Sequence, residues 1–223
     1  PSSVLITHLS ETLREHSAML LEREDTQKLI DMVKEKNATL IGELLPDLVS
    51  VGLIQRVLQN LLREKISIKN LTLILETMAD FASFTKNPDD LSEQVRRKLG
   101  AFFVPELQAD DGNLHALTLD PRLEQQLAGQ VKRTQFDVAL MMDPPVAQHL
   151  VQELNPRIEE MLNRGLTPVL LLSAELRLAF KRFFEPTFPR LTVLAYQEIP
   201  NQTQIQGFGS IPAPAPAGGA DGM

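Results

Sequence analysis

Cysteine and tryptophan are absent from the 223 residues, and there is a single tyrosine. Without cysteine the chain can make no disulfides, thiolate zinc sites, iron–sulfur ligands or thiol nucleophiles. So few flat rings leave little for stacking on bases. The balance of 22 Lys and Arg against 29 Asp and Glu, a net charge of -7, has the wrong sign for neutralising a phosphate backbone. Nucleic acid is therefore not an expected partner. Long apolar runs are missing too: stretches such as Val169–Leu172 fall far short of the roughly 20 residues that a bilayer-crossing helix needs. The start lacks the basic and then apolar regions of a secretory signal. It opens at Pro1, which suggests part of a longer chain, so membrane contact is expected only through upstream sequence.

What is present is an ordinary globular mixture, 43% hydrophobic and 23% charged, enough to build a core. The first half reads as helices. Val4, Leu5, Leu9, Leu13 and Leu20 recur at helical spacing and predict a helix over about residues 3–19. A second is expected from Arg23 to Lys36, with Glu24 and Asp25 in its first turn where the helix dipole favours them. Pro46 should end a short segment holding Leu40, Ile41, Leu44 and Leu45. Ser50 can cap the next, whose stripe is Leu53, Ile54, Val57, Leu58, Leu61 and Leu62. Leu71, Ile74, Leu75, Met78, Ala79 and Phe81 define another helix. Asn87, Pro88, Asp89 and Asp90 open a last one with an inner face of Leu91, Val95, Leu99 and Phe102.

After Pro105 the texture changes. Asp110 to Asn113 is a turn, Leu114 to Leu119 a strand, and Asp120–Pro121 starts a short helix. Residues 129–135 read as a loop. A helix from Asp143 carries Pro156 inside it, which should kink or split it. Strands are expected at 168–172 and 191–196 around a helix from Ser173 to Phe184. A final strand at 202–211 is expected to form a hairpin with the one before. The fold class is therefore α plus α/β: a multi-helix domain, then a small α/β sandwich with a roughly four-stranded sheet. The Ala/Pro/Gly tail, 212–223, is expected to be disordered.

No catalytic constellation emerges. His8 and His16, eight apart on the first helix, and the isolated His115 and His149 form no metal-binding cluster. Glu24–Asp25, Asp89–Asp90, Asp110–Asp111 and Glu159–Glu160 sit at helix starts, turns or polar faces. Gly207 and Gly209 lack the third glycine and the lysine of a phosphate loop. Asp137, His149 and Ser173 can be nominated as a triad, but no GxSxG elbow surrounds Ser173. The chain is accordingly expected to be no enzyme, with no cofactor and no metal. Basic residues cluster at Arg63, Lys65 and Lys69 and at Arg96, Arg97 and Lys98, in or beyond the last turns of helices.

The segment Val57-Leu-Gln-Asn-Leu-Leu-Arg-Glu-Lys-Ile-Ser-Ile-Lys-Asn-Leu-Thr-Leu-Ile-Leu-Glu-Thr-Met-Ala-Asp80 resembles the large export gate family of flagellar and virulence type III secretion systems. The likeness runs back through Val4 to Leu9 and Arg23 to Gln27 and forward through Asp89 to Leu99. It continues more loosely at Leu117 to Asp120, 168–172 and Leu191 to Pro200.

The resemblance implies the C-terminal part of the cytoplasmic region of a bacterial inner-membrane protein. In that family this region forms a nonameric ring beneath the export channel, receives export chaperones and substrates, and meets other components of the export apparatus. Of the family's four cytoplasmic subdomains, residues 1–19 would end the first, 20–107 form the helical third and 108–211 the α/β fourth. The second, which contributes much of the chaperone cleft, would be absent.

Arg63, Glu64, Lys65 and Lys69 are the expected contacts around the helical junction, and Arg96 and Arg97 the expected charged interface. The competing readings are a free-standing protein-binding adaptor and a hydrolase spanning both domains through Asp137 or His149.

Overall fold

The computed structural model describes residues 18–134 and 137–214. The first helix expected over 3–19, with His8 and His16, and the tail beyond 214 lie outside the described residues, apart from a helical stretch at 18–20. The chain divides into two compact units, Pro1–Phe103 and Val104–Met223.

The first unit is helical: α1 (Arg23–Lys36), α2 (Ala38–Leu44), α3 (Val51–Arg63), α4 (Leu71–Phe81) and α5 (Pro88–Phe103). Start signals in the sequence act as capping chemistry requires. The Asn37 side chain accepts from Leu40 N at 3.2 Å and the Ser50 hydroxyl from Leu53 N at 3.1 Å. Asn87 Oδ1 accepts from Asp89 N at 2.8 Å. Each leaves fewer orphan N–H groups at a helix start. The inward stripes meet in one core that includes Leu44, Ile54, Val57, Leu58, Ile74, Leu75, Met78, Leu91 and Val95. Phe102, expected on the inner face, instead stands 53% exposed. Phe103 packs against the core in its place.

The second unit holds β1 (Asn113–Leu119), α6 (Pro121–Gly129), β2 (Val131–Arg133), β3 (Val138–Leu140), α7 (Pro144–Asn163), β4 (Val169–Leu172), α8 (Ala174–Phe184), β5 (Thr192–Ala195) and β6 (Gln204–Ile211). Its main sheet has the order β5-β4-β1-β6, and every pairing is parallel. β4 is buried at all four positions, as a central parallel strand covered on both faces must be. Leu117, Leu119, Leu170, Leu172 and Val193 join Leu150, Leu154, Leu176 and Phe180 in the core.

Three expectations are corrected. The segment read as a loop contains β2, which pairs antiparallel with β3; three-residue strands are too short to display an alternation. The helix α7 runs unbroken through Pro156. Pro156 lies on the exposed side opposite the buried stripe Val146, Leu150, Leu154, Ile158 and Met161, so the acceptor its missing N–H would have used, on the exposed Gln152, is open to water. Finally, β6 forms no hairpin with β5. It crosses to the opposite edge and pairs parallel with β1, with a register shift between Ala116 and Leu117.

Candidate functional site

The segment that carries the family resemblance folds into α3, a turn and α4. At the end of α3, Glu64 N bonds Leu61 O at 3.2 Å, Lys65 N bonds Leu62 O at 2.9 Å, and Ile66 N reaches back to Leu61 O at 2.9 Å. That 6→1 and 5→2 pattern is a Schellman cap, and its left-handed residue is Lys65, with φ of 60°. The turn sends Ile66 into the core and leaves Lys65 outside.

A polar network then fastens α3 to α5. Asn60 Nδ2 donates to Asp89 Oδ1 and to Ser92 Oγ, each at 3.1 Å, while Arg63 Nη1 donates to Asn60 Oδ1 at 2.9 Å. Arg96 Nη1 donates to Glu64 Oε2 at 2.9 Å, with side chains only 3% and 15% exposed. The guanidinium carbon of Arg96 also lies 5.5 Å from the centre of the Phe103 ring. A buried cation without this carboxylate would be costly, so Glu64 and Arg96 are committed to each other.

The six residues singled out from the sequence thus separate. Arg63, Lys65, Lys69 and Arg97 are exposed; Glu64 is half-buried and Arg96 buried. The expectation that Arg96 lies on a charged surface is corrected: it is 2% exposed and turned onto Glu64 at the end of α3.

The nominated triad is not assembled. Asp137 Oδ1 accepts from Arg182 at 3.2 Å, His149 Nε2 lies 2.8 Å from Pro212 O, and the Ser173 amide donates to Glu124 Oε1 at 2.6 Å. Burial, with the negative charge of Glu124, raises the pKa of the Tyr196 phenol. Among the described residues no group of three or more His, Cys, Asp or Glu could hold a metal ion.

A second polar cluster escaped the sequence reading, which took Asp110–Asp111 as turn residues and His115 as isolated. Asp111 Oδ2 lies 2.8 Å from His115 Nε2, and Asp111 Oδ1 accepts from Asn113 N at 2.9 Å. The Asn113 amide first, and His115 next, hold the Asp111 carboxyl down at about 2. The only available signal was the spacing of four from Asp111 to His115, which carries no weight in a turn leading into a strand.

The described residues thus pair a helical unit, α1 to α5, with an α/β unit whose four-stranded sheet is parallel, and none of their helices is long and apolar enough to cross a membrane. Residues 1–204 match the FHIPEP family, and the chain belongs to that family. It is 34% identical over 211 residues to the flagellar biosynthesis protein FlhA of Bacillus subtilis, covering 95% of this chain and 31% of that protein. The chain thus spans about a third of the length of that relative. The Chlamydia pneumoniae CdsV protein, solved in complex with CdsO, superposes with a TM-score of 0.80 at 27% identity, over 94% of this chain and 61% of that one. The nonameric EscV cytosolic domain of a type III secretion system shares the fold, with a TM-score of 0.75 at 24% identity, over 92% of this chain and 61% of that one.

Proposed function

We propose that this chain is a non-catalytic module of a type III export gate, lying on the cytoplasmic side of the bacterial inner membrane, that builds a homo-oligomeric ring and helps to dock export chaperones and substrates. The observation that carries this reading is the exposure of the basic side chains Arg63, Lys65 and Lys69 at and after the end of α3 and of Arg97 on α5, next in sequence to the residues of the buried Arg96–Glu64 pair. In a chain of net charge -7, such a basic set is complementary to the acidic remainder of a neighbouring copy, the head-to-tail arrangement that closes a ring. The nonameric EscV domain and the CdsV–CdsO complex, which share this fold, support a ring and a protein partner in turn.

Sedimentation velocity over a wide concentration range, at low and moderate salt, tests the ring. Association that strengthens with concentration, weakens with salt and is lost in the R63E/K65E double variant is the expected result. Association untouched by that charge reversal, together with normal export by the full-length protein carrying it, would remove these basic residues from the interface. Glu64 and Arg96 serve as the internal control: their substitution should lower stability more than the R63E/K65E change, which removes only one exposed bond of the network, from Arg63 to Asn60.

A further inference from the structure

The four-stranded sheet has two edges, and the chain treats them differently. At β5, four residues long, Val193 O is taken by Arg177, the preceding Leu191 O by Lys181, and the Ala195 amide by Glu198. β6 is twice as long, Gln204–Ile211, and pairs only with β1. Six of its eight residues are exposed, and the main-chain groups that point away from β1 meet no other strand among the described residues. The family match ends at residue 204, where β6 begins.

Edges are ordinarily guarded against further pairing by charge, proline, short length or a covering element. The sequence Gln-Ile-Gln-Gly-Phe-Gly-Ser-Ile holds no charge and no proline, in a chain that is 23% charged. Its one irregularity is the register shift opposite Ala116 and Leu117, which leaves 204–207 in unbroken register with 113–116.

The edge itself dictates what fits. A row of N–H and C=O groups at strand spacing is matched by another extended main chain. The chain's own continuation brings few donors, because Pro212, Pro214 and Pro216 alternate and proline has no N–H to give. A second β6 would bring Gly207 and Gly209 to the middle of both strands, which weakens pairing. One such ladder also buries well under the roughly 1,200 Å² of a stable interface between folded proteins. An extended segment of another protein carries neither handicap.

The side chains of that segment are specified too. Ile205, 48% exposed, and Gly207 lie two apart on one face of the strand. Nothing stands within 4 Å of the place that a Cβ on Gly207 would take. A glycine on an edge is rescued by an aromatic ring on the facing strand, which covers its bare main chain, and a ring there reaches Ile205 on the diagonal.

We propose that β6 takes up one extended, uncharged segment of a partner protein as a fifth strand, hydrogen-bonded along 204–207, with an aromatic side chain laid over Gly207 against Ile205. The proposal does not depend on ring assembly, because every group involved belongs to the α/β unit of one copy.

The test uses the 223-residue chain and the capped peptide Thr-Val-Thr-Phe-Thr-Val-Thr, followed by amide chemical shifts and hydrogen exchange at pH 7. Saturable shifts confined to residues 113–119 and 204–211 are expected, with exchange of the outward amides of β6 slowed at least about tenfold at saturation. Serine in place of the peptide phenylalanine should weaken binding about fivefold. Gly207→Lys installs the charge that guarded edges carry and should abolish binding, and Ile205→Lys should weaken it severalfold. Both positions are exposed, and an otherwise unaltered spectrum establishes that the fold survives. Equal binding of the peptide N-methylated at every residue overturns the proposal, because the main chain would then not be the ligand. Undiminished binding by both lysine variants, shifts spread beyond the two strands, or no shift at millimolar peptide overturn it as well. So does slowing of β6 exchange by protein concentration alone, which would reassign the edge to a second copy.

Discussion

The two units bury cations in different ways. In the helical unit Arg96 meets a carboxylate, Glu64, delivered by another helix. In the α/β unit the buried Arg177 and Lys181 of α8 reach main-chain carbonyls of another element, Val193 O at 3.3 Å and Leu191 O at 3.2 Å, and the carboxylate that Lys181 meets, Glu185 Oε1 at 3.4 Å, comes from just past the end of its own helix. The difference follows from where each kind of secondary structure keeps its acceptors. Helix carbonyls are spent within the helix, so a cation between helices needs a side-chain partner. β5 is an edge strand paired only with β4, and alternate carbonyls along it point away from the sheet. Arg177 and Lys181 cap two of these, and Glu198 Oε2 takes the Ala195 amide at 2.7 Å. The same contacts that satisfy the cations therefore close an edge that would otherwise be a template for another strand.

This contrast can be broken by substitution, and the chain supplies separate probes. Its one tyrosine, Tyr196, lies in the α/β unit, so tyrosine fluorescence follows that unit, while far-UV ellipticity is dominated by helices. Arg177→Met should have the largest effect, about 3 kcal/mol of lost stability in urea, because Arg177 is fully buried and its polar contacts are lost together. Arg96→Met should cost about 2 kcal/mol, less because Glu64 retains some contact with water. Adding Glu64→Gln should restore part of that loss, since removing both charges leaves neither uncompensated. If Arg96→Met proved the more damaging, or the double variant were no better than the single, carbonyl capping and carboxylate pairing would not differ in the way described.

A smaller effect of opposite sign is expected where the helical unit turns a corner. Lys65 holds φ at 60°, a region that costs a side-chain-bearing residue roughly 1 kcal/mol. Lys65→Gly should therefore stabilise the helical unit by about 0.5–1 kcal/mol on chemical denaturation. It should also weaken any contact that the exposed ammonium makes. A loss of stability would mean that Lys65 contributes packing or charge that outweighs its backbone strain.

The helical unit was largely legible because each helix announces itself within its own residues: Ser50 before the Leu53–Ile54–Val57–Leu58–Leu61 stripe, and Asn87-Pro88 before Leu91, Val95 and Leu99. The α/β unit hid more because its information is non-local. Nothing in 204–211 states that its partner is 113–119, some 90 residues earlier. A hairpin with the preceding strand is what short-range reasoning prefers. The candidate residues divided along the same line. Exposure of Arg63 follows from its place in the last turn of α3, and that of Lys65 and Lys69 from the turn beyond it; Arg96 and Arg97, expected at the end of their helix, lie inside α5, whose last turn holds no basic residue, and Arg96 was misjudged because its partner Glu64 comes from a different helix. The Asp111–His115 contact was invisible because it depends on how a turn folds back on a strand.

The smallest effect concerns that contact, the exposed counterpart of the buried pairs. The Asp111 carboxyl is held at about 2, below its ordinary 3.8, by the Asn113 amide and His115. A group with a lowered native pKa adds stability that is present above its unfolded pKa and is lost as pH falls through the native one. For Asp111 that loss falls between about pH 4 and pH 2. Carboxyl-detected NMR should place its midpoint near 2, and the small stability difference between the wild type and Asp111→Asn should shrink to nothing across the same window. Because the side chain is solvent-exposed, the effect should also fade with salt, whereas the Arg96–Glu64 difference, between side chains only 3% and 15% exposed, should fade far less. A midpoint for Asp111 near 3.8 would show that the turn leaves this carboxylate no better held than in the unfolded chain.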